Sequence, residues 1–215
     1  MKEAERCVAV VAVSIDLGAG RRGVDMGPSA LRIAGLGETL ERMGYRVSEV
    51  GTVYAEGPET IELGETRLRF LNEIIGVARR SHDMVRKGMA AGCFPLVLGG
   101  DHSLSIGTTA AVAGHYREMG QSVGLIWVDA HADMNTPETT PSGNIHGMSL
   151  AVLTGQGPPE LTEMGGASPA VRAENVCIIG ARDLDDAEKD TVRETGVRVF
   201  TMSEIDEKGM ARCMD

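Results

Sequence analysis

The residues best able to do chemistry lie in two short segments. In Asp129-Ala130-His131-Ala132-Asp133, three metal-competent side chains recur at every second position and share one face if the chain stays extended. Fully extended, Asp129 and Asp133 would stand roughly 13 Å apart, beyond the span of one ion, so the segment must curl or serve two ions. Upstream, Gly99-Gly100-Asp101-His102-Ser103 begins with paired glycines that let the backbone turn sharply and present His102. Together His102, Asp129, His131 and Asp133 form an oxygen-rich set without thiolates. Such a set suits Mn²⁺ better than structural zinc, although imidazole also admits cobalt, nickel or zinc. Either motif alone arises by chance, and histidines often sit in cores; it is their joint occurrence after two successive strands that carries the metal reading.

Directly after the second segment, residues 135–146 form a polar loop containing Asn135, Ser142, Asn144 and His146. Its amide, hydroxyl and imidazole groups are placed to lean over a substrate held at the metal. The run Arg21-Arg22-Gly23-Val24-Asp25-Met26-Gly27-Pro28 lacks the spacing of a phosphate loop and reads as structural, shaping the approach to the site.

These side chains need a scaffold. Short apolar runs alternate with longer amphipathic stretches, the rhythm of a parallel sheet with crossover helices. Strands are expected at 8–15, 46–50, 94–98, 123–128, 175–179 and 198–201. Helices are expected at 30–43, closed by Gly44, and at 66–91, closed by Gly92. Further helices are expected at 104–119, 148–153 and 186–194, with 154–169 as loop. Both loaded segments follow strand ends, where open α/β sheets gather ligands.

Three stretches resemble the ureohydrolases and, among them, the arginases: IDLGAGRRGVDMGPSALR at 15–32, LGGDHSLSIGT at 98–108 and WVDAHADMNTPETTPSGNIHGMSLA at 127–151. The likeness continues through IGARDLDDAE at 179–188 and FTMSEID at 200–206. It implies a three-layer α/β/α fold with a mainly parallel sheet, and two Mn²⁺ ions per intact site. His102, Asp129 and Asp133 would hold one ion, and Asp129, as a bridge, would share the second with His131. Asn135, Ser142 and Asn144 would grip the α-carboxylate of L-arginine, while Asp185 and Glu188 would face its α-ammonium group. Taken alone, Asp185 and Glu188 read as an exposed acidic helix start, stabilised by the helix dipole. Asp133 would position the attacking hydroxide and His146 would carry the proton, the products being L-ornithine and urea. The resemblance further implies a homo-oligomer, trimer or hexamer, in the cytoplasm. Agmatinases, guanidinobutyrases and formiminoglutamases share the metal motifs but differ in the 135–146 loop.

The resemblance also implies a later S-x-D-x-D-x-x-D-P motif and two further strands lying between the third and the fourth, neither of which occurs here. The expectation is therefore an incomplete ureohydrolase domain over residues 1–215, with GGDH and DAHAD held apart, uncovered apolar sheet edges and negligible turnover. A non-catalytic metal-binding short form is the alternative from another class. Composition is compatible with either. The 215 residues, 42% hydrophobic, can bury one substantial core. A formal charge of -10 argues against nucleic acid and anionic membrane as partners. Cys7, Cys93, Cys177 and Cys213 form no CxxC pair and are expected as reduced thiols. The opening residues with Lys2, Glu3 and Glu5 lack the pattern of a signal peptide, and no apolar run reaches membrane-spanning length.

Overall fold

The computed structural model describes residues 6–214; the charged lead with Lys2, Glu3 and Glu5, and Asp215, lie outside the described residues. Six parallel strands form two three-stranded sheets. The first has the order β2-β1-β3 and the second β4-β5-β6. β1 (Cys7–Ser14) is apolar at all but its last position and is buried on both faces, which is why it takes the centre of its sheet. On one side it pairs with β2 (Arg46–Tyr54) and on the other with β3 (Phe94–Gly99). β2 continues past the expected stop at Val50, because a bulge opposite Val10 and Val11 passes over Val50 and lets pairing resume at Gly51. In the second sheet β5 (Val176–Ala181) lies between β4 (Leu125–Val128) and β6 (Arg198–Thr201).

The expected helix over 30–43 is two helices, α1 (Gly27–Ile33) and α2 (Leu36–Arg42), broken where Gly35 turns left-handed at φ 82°. Leu36 and Leu40 still reach the sheet and pack on Val8, Val10 and Leu98. α3 (Leu71–Ala90) begins five residues later than the expected start at Thr66. Residues before it are committed elsewhere: Phe70 N–H donates to Leu63 and Arg69 N–H to Gly143. α4 (Leu104–Glu118) crosses α3 closely, and a methyl at Gly107 would meet the Ala78 carbonyl oxygen at 2.1 Å.

α5 (Ser149–Leu153) follows a 3₁₀ turn at Ile145–Met148. The expected loop 154–169 contains one helical turn, α6 (Pro159–Thr162), started by a proline whose missing N–H costs nothing there. α7 (Asp186–Thr195) matches expectation. Beyond β6, where no helix was expected, come α8 (Met202–Lys208) and α9 (Met210–Met214). α8 opens with a capping box between Thr201 and Glu204.

The core has two main parts. One gathers Val11, Val13, Ile74, Val77, Ile106 and Val152; the other gathers Trp127, Met134, Leu150, Val176, Ile178 and Val197. α4 gives Ile106 and Ala111 to the first part and Ala110 and Ala113 to the second, and α5 divides its side chains in the same way. These two helices are the seam between the halves. β3 and β4 each keep an unpaired edge among the described residues, and a cavity of about 260 Å³ lined by Val97, Val112, Val123 and Leu125 lies beside them.

The cysteines depart from expectation. Cys7 and Cys93 form a disulfide with a Cα separation of 4.6 Å, while Cys177 and Cys213 are free. The pairing is a matter of register. Val8 and Phe94 are partners across β1 and β3, and each cysteine stands one residue ahead of its strand partner. Spacing in sequence cannot reveal this, since 86 residues separate the two.

Candidate metal centre

Two loops bring the site together from opposite halves. After β3, Gly100 N–H donates to Val13 and Asp101 N–H to Ile15, so the turn folds flat against the loop that follows β1. Gly100 is required there, because a Cβ would lie 1.8 Å from the Ile15 carbonyl oxygen. The buried Asp101 carboxylate accepts from Gly18 N–H and from the Ser103 N–H and hydroxyl, tying down the residues on either side of His102. The expected role of the 21–28 run as a structural element agrees with this packing. A methyl at Gly27 would strike the Gly99 carbonyl, and buried Asp16 accepts from Arg22 and from Gly23 N–H.

After β4 the Asp129–Asp133 segment curls, as the extended distance required. Asp129 N–H still donates to Ile179, but Arg182 and Asp183 then donate to Ala130, bending the chain around the end of β5. Asp133 adopts φ 52°, an uncommon conformation that aspartate tolerates better than most residues. Its carbonyl accepts the N–H groups of Leu150 and Ala151 at the start of α5. The strain is thus held by a helix terminus, and it turns the side chain back towards His102.

His102 Nδ1 lies 3.0 Å from Asp129 Oδ2 and 2.9 Å from Asp133 Oδ2. The expected separation of GGDH from DAHAD is therefore incorrect at the level of side chains. β3 and β4 do not pair, yet their loops lean inward until the three ligand atoms lie within 4.8 Å of one another. Buried Asp133 Oδ2 accepts no directed hydrogen bond despite its nearness to the imidazole. One nitrogen cannot aim a single N–H at two oxygens, and a convergent set with an orphaned buried oxygen is what a cation would satisfy. Burial of the His102 ring opposes its protonation, but the close approach and negative charges of Asp129 and Asp133 outweigh this and raise its pKa to about 9. Burial likewise works against the Asp129 anion, and the His102 and His131 contacts prevail, holding its pKa well below the usual carboxylate range.

His131 sits beside this triad and is more exposed. Its Nδ1 is 3.2 Å from Asp129 Oδ1, and its Nε2 is 3.6 Å from the exposed Asp183. Asp129 thus offers one oxygen towards each histidine, the disposition a bridging carboxylate needs.

The remaining candidates divide into two groups. Asn135 donates to Asp185 Oδ2 at 2.8 Å, Asp185 Oδ1 accepts the Glu188 N–H as the cap of α7, and buried Glu188 accepts the Met134 N–H. The exposed acidic helix start considered for this pair therefore holds for Asp185 and is incorrect for Glu188. Burial pushes the Glu188 carboxyl up, only partly offset by the Met134 N–H. On the other side, Asn144 donates to the Ala19 carbonyl and accepts from Arg69 at 3.4 Å, while exposed Ser142 accepts the Asn144 N–H. His146 lies on the 3₁₀ turn with its N–H donated to Gly18 and its carbonyl accepting from Ser149.

Three contributors escaped the sequence reading. Asp101 lay inside the quoted glycine turn, and its buried anchoring role depends on a loop more than eighty residues away. Arg69 gave no signal, being one cation in a charged stretch. Trp127, directly before the Asp129 segment but for one residue, stacks on His102 with centroids 4.1 Å apart and planes 18° from parallel.

Residues 6–215 match the family model described as the arginase family. The arginase of Brevibacillus brevis is 49% identical over 97% of this chain and 68% of its own length. The native structure of arginase from Bacillus caldovelox superposes with a TM-score of 0.91 at 48% identity, covering 97% of this chain and 69% of that one. An Entamoeba histolytica arginase solved with L-ornithine gives a TM-score of 0.86 at 33% identity, with coverage of 97% and 69%.

Proposed function

Because the chain belongs to the arginase family, we propose that this centre binds Mn²⁺ and serves the hydrolysis of L-arginine to L-ornithine and urea. The observation that carries the reading is the meeting of His102, Asp129 and Asp133 around one point, with a buried carboxylate oxygen left unsatisfied. Oxygen and imidazole donors without thiolate fit Mn²⁺. His102, Asp129 and Asp133 would hold one ion, and Asp129 with His131 would contribute to a second.

A pair of such ions held by these residues would supply a hydroxide nucleophile from water at neutral pH. Asp133 is the residue to orient that nucleophile, because its carbonyl is fixed by α5 and its carboxylate has no other directed partner. Asn135, Ser142 and Asn144 would receive the α-carboxylate. Asp185 and Glu188 would receive the α-ammonium end, Asp185 directly from its exposed cap position and Glu188 from its buried place behind it. His146 would deliver the proton to the departing amine, its imidazole being able both to take up and to release one. No helix among the described residues is long and apolar enough to cross a membrane. Our reading extends to a cytoplasmic homo-oligomer, trimer or hexamer.

Calorimetric titration with Mn²⁺ tests the centre directly. The expected result is saturable binding that His102→Ala removes, and binding unaltered by that substitution would sink the assignment. For the reaction, these 215 residues alone are expected to turn over negligibly; where a complete site is supplied, urea released from arginine in preference to agmatine, lost on chelation and restored by Mn²⁺, is the expected outcome. A preference for agmatine would reassign the 135–146 loop to an amine end without a carboxylate.

A further inference from the structure

Trp127 is the chain's single tryptophan and is buried, with 4% of its surface exposed. It projects inward from β4 between Ile126 and Val128, which face outward and are exposed. Its indole N–H is buried without an acceptor. An orphaned buried donor carries a desolvation cost that a phenylalanine would avoid entirely. The only feature the indole adds in compensation is its broad face, which lies against the His102 imidazole.

We propose that Trp127 is a positioning residue for the metal centre, its indole face holding the His102 ring in the plane that aims Nδ1 at Asp129 and Asp133. The proposal rests on the metal reading above and adds a residue to it. His102 comes from the first half of the molecule and its two carboxylate partners from the second. A ring carried on a turn after β3 has free side-chain torsions, and ordering it at the moment of metal capture costs affinity. Asp101 fixes the backbone on either side of His102, but that leaves the ring itself free to rotate. Stacking on Trp127 supplies the missing restraint from the strand that leads into the ligand segment, so imidazole and carboxylates are registered to one rigid element. An imidazole drained of electron density by a bound cation is also attracted to the electron-rich indole face, which strengthens the contact in the loaded state.

The same contact makes Trp127 a reporter. A cation on His102 lies one ring away from the sole indole, so Mn²⁺ titration of the protein should change tryptophan emission with the midpoint found by calorimetry. Trp127→Leu, which keeps bulk but offers no ring face, should weaken Mn²⁺ binding about tenfold or more. Trp127→Phe should restore it to within about threefold of the parent. A merely structural role predicts otherwise: melting temperature without metal would fall while the Mn²⁺ constant of the folded protein stayed put. If Trp127→Leu does not fold, the parent titration still decides, since calorimetric binding with an unchanged emission spectrum overturns the proposal. Absence of calorimetric binding in the parent is a separate result, which sinks the metal reading itself.

Discussion

The two half-sheets are built from the same parts and reach different degrees of completion. In the first, the eight-residue β1 lies between strands of nine and six residues, and the 20-residue α3 covers one face while α1 and α2 cover part of the other. In the second, strands of four, six and four residues carry the short α8 and α9 on one face. α4 and α5 close the inner side of both. The edges of β3 and β4 are unpaired among the described residues, and outward side chains on these strands are bare: Phe94 on β3 is 71% exposed, and Ile126 and Val128 on β4 are 60% and 74% exposed. Unpaired, apolar edges of this kind invite further strands. The centre formed by His102 and the two aspartates spans this division, so the chemistry sits where the scaffold is least continuous. The lesson is that loop geometry, fixed locally by Asp101 and by the Asp133 carbonyl, brings the ligands together without help from a shared sheet.

The comparison makes the first half the more stable unit, so in hydrogen exchange the amides of β1 should be the slowest and those of β4 and β6 should open earlier. Substitutions in each half sharpen the contrast. The largest effect is expected from Gly100→Ala. Its new methyl would meet backbone, which cannot swing aside as a side chain would, and the loop carrying His102 must leave the β1 loop. A loss of about 3 kcal/mol or more by denaturant unfolding is expected, together with loss of Mn²⁺ binding. Retained stability would show that the two loops are not docked as described.

Next is the clasp between Cys7 and Cys93. Closing a loop across 86 residues removes freedom from the unfolded chain, so Cys7→Ser together with Cys93→Ser should lower stability by about 2–4 kcal/mol. The loss should be read in β1–β3 protection, with Mn²⁺ binding unaffected because the clasp lies at the far ends of the strands. Equal losses in β4–β6 would mean that the halves unfold as one, breaking the contrast.

How much of this was legible in the sequence follows the same division between local and distant causes. All six strands could be located, because buried parallel strands are short apolar runs, and the ends of α2 and α3 were marked by Gly44 and Gly92. The candidate ligands His102, Asp129, His131 and Asp133 could be picked out by type and position after strands, and the first, second and fourth of them converge. What stayed hidden depends on partners far along the chain. The late start of α3 comes from the bond of Arg69 N–H to Gly143, and the disulfide comes from register. The stacking of Trp127 on His102 joins two motifs that sequence reading treats separately. That Glu188 is buried, with its carboxylate on the Met134 N–H rather than in solvent at a helix start, was not readable locally, because its partner lies far along the chain.

The capping box of α8 is the exception, since its signal was entirely local and was still passed over. Thr201 and Glu204 stand three apart at the start of an acidic helical run, a pattern readable without any structure. Thr201 accepts the Glu204 N–H, and the Glu204 carboxylate accepts the Thr201 N–H in return. Thr201→Ala should therefore cost about 1 kcal/mol, the smallest of the effects considered. Its consequences should be confined to α8 and to the Ile179, Ile205 and Cys213 cluster beneath it, read as faster exchange there with β1 unchanged. Should that substitution speed exchange in β1 as well, the second half would be a support of the first rather than a weaker neighbour, and the order of stability argued from strand length and burial would have to be reversed.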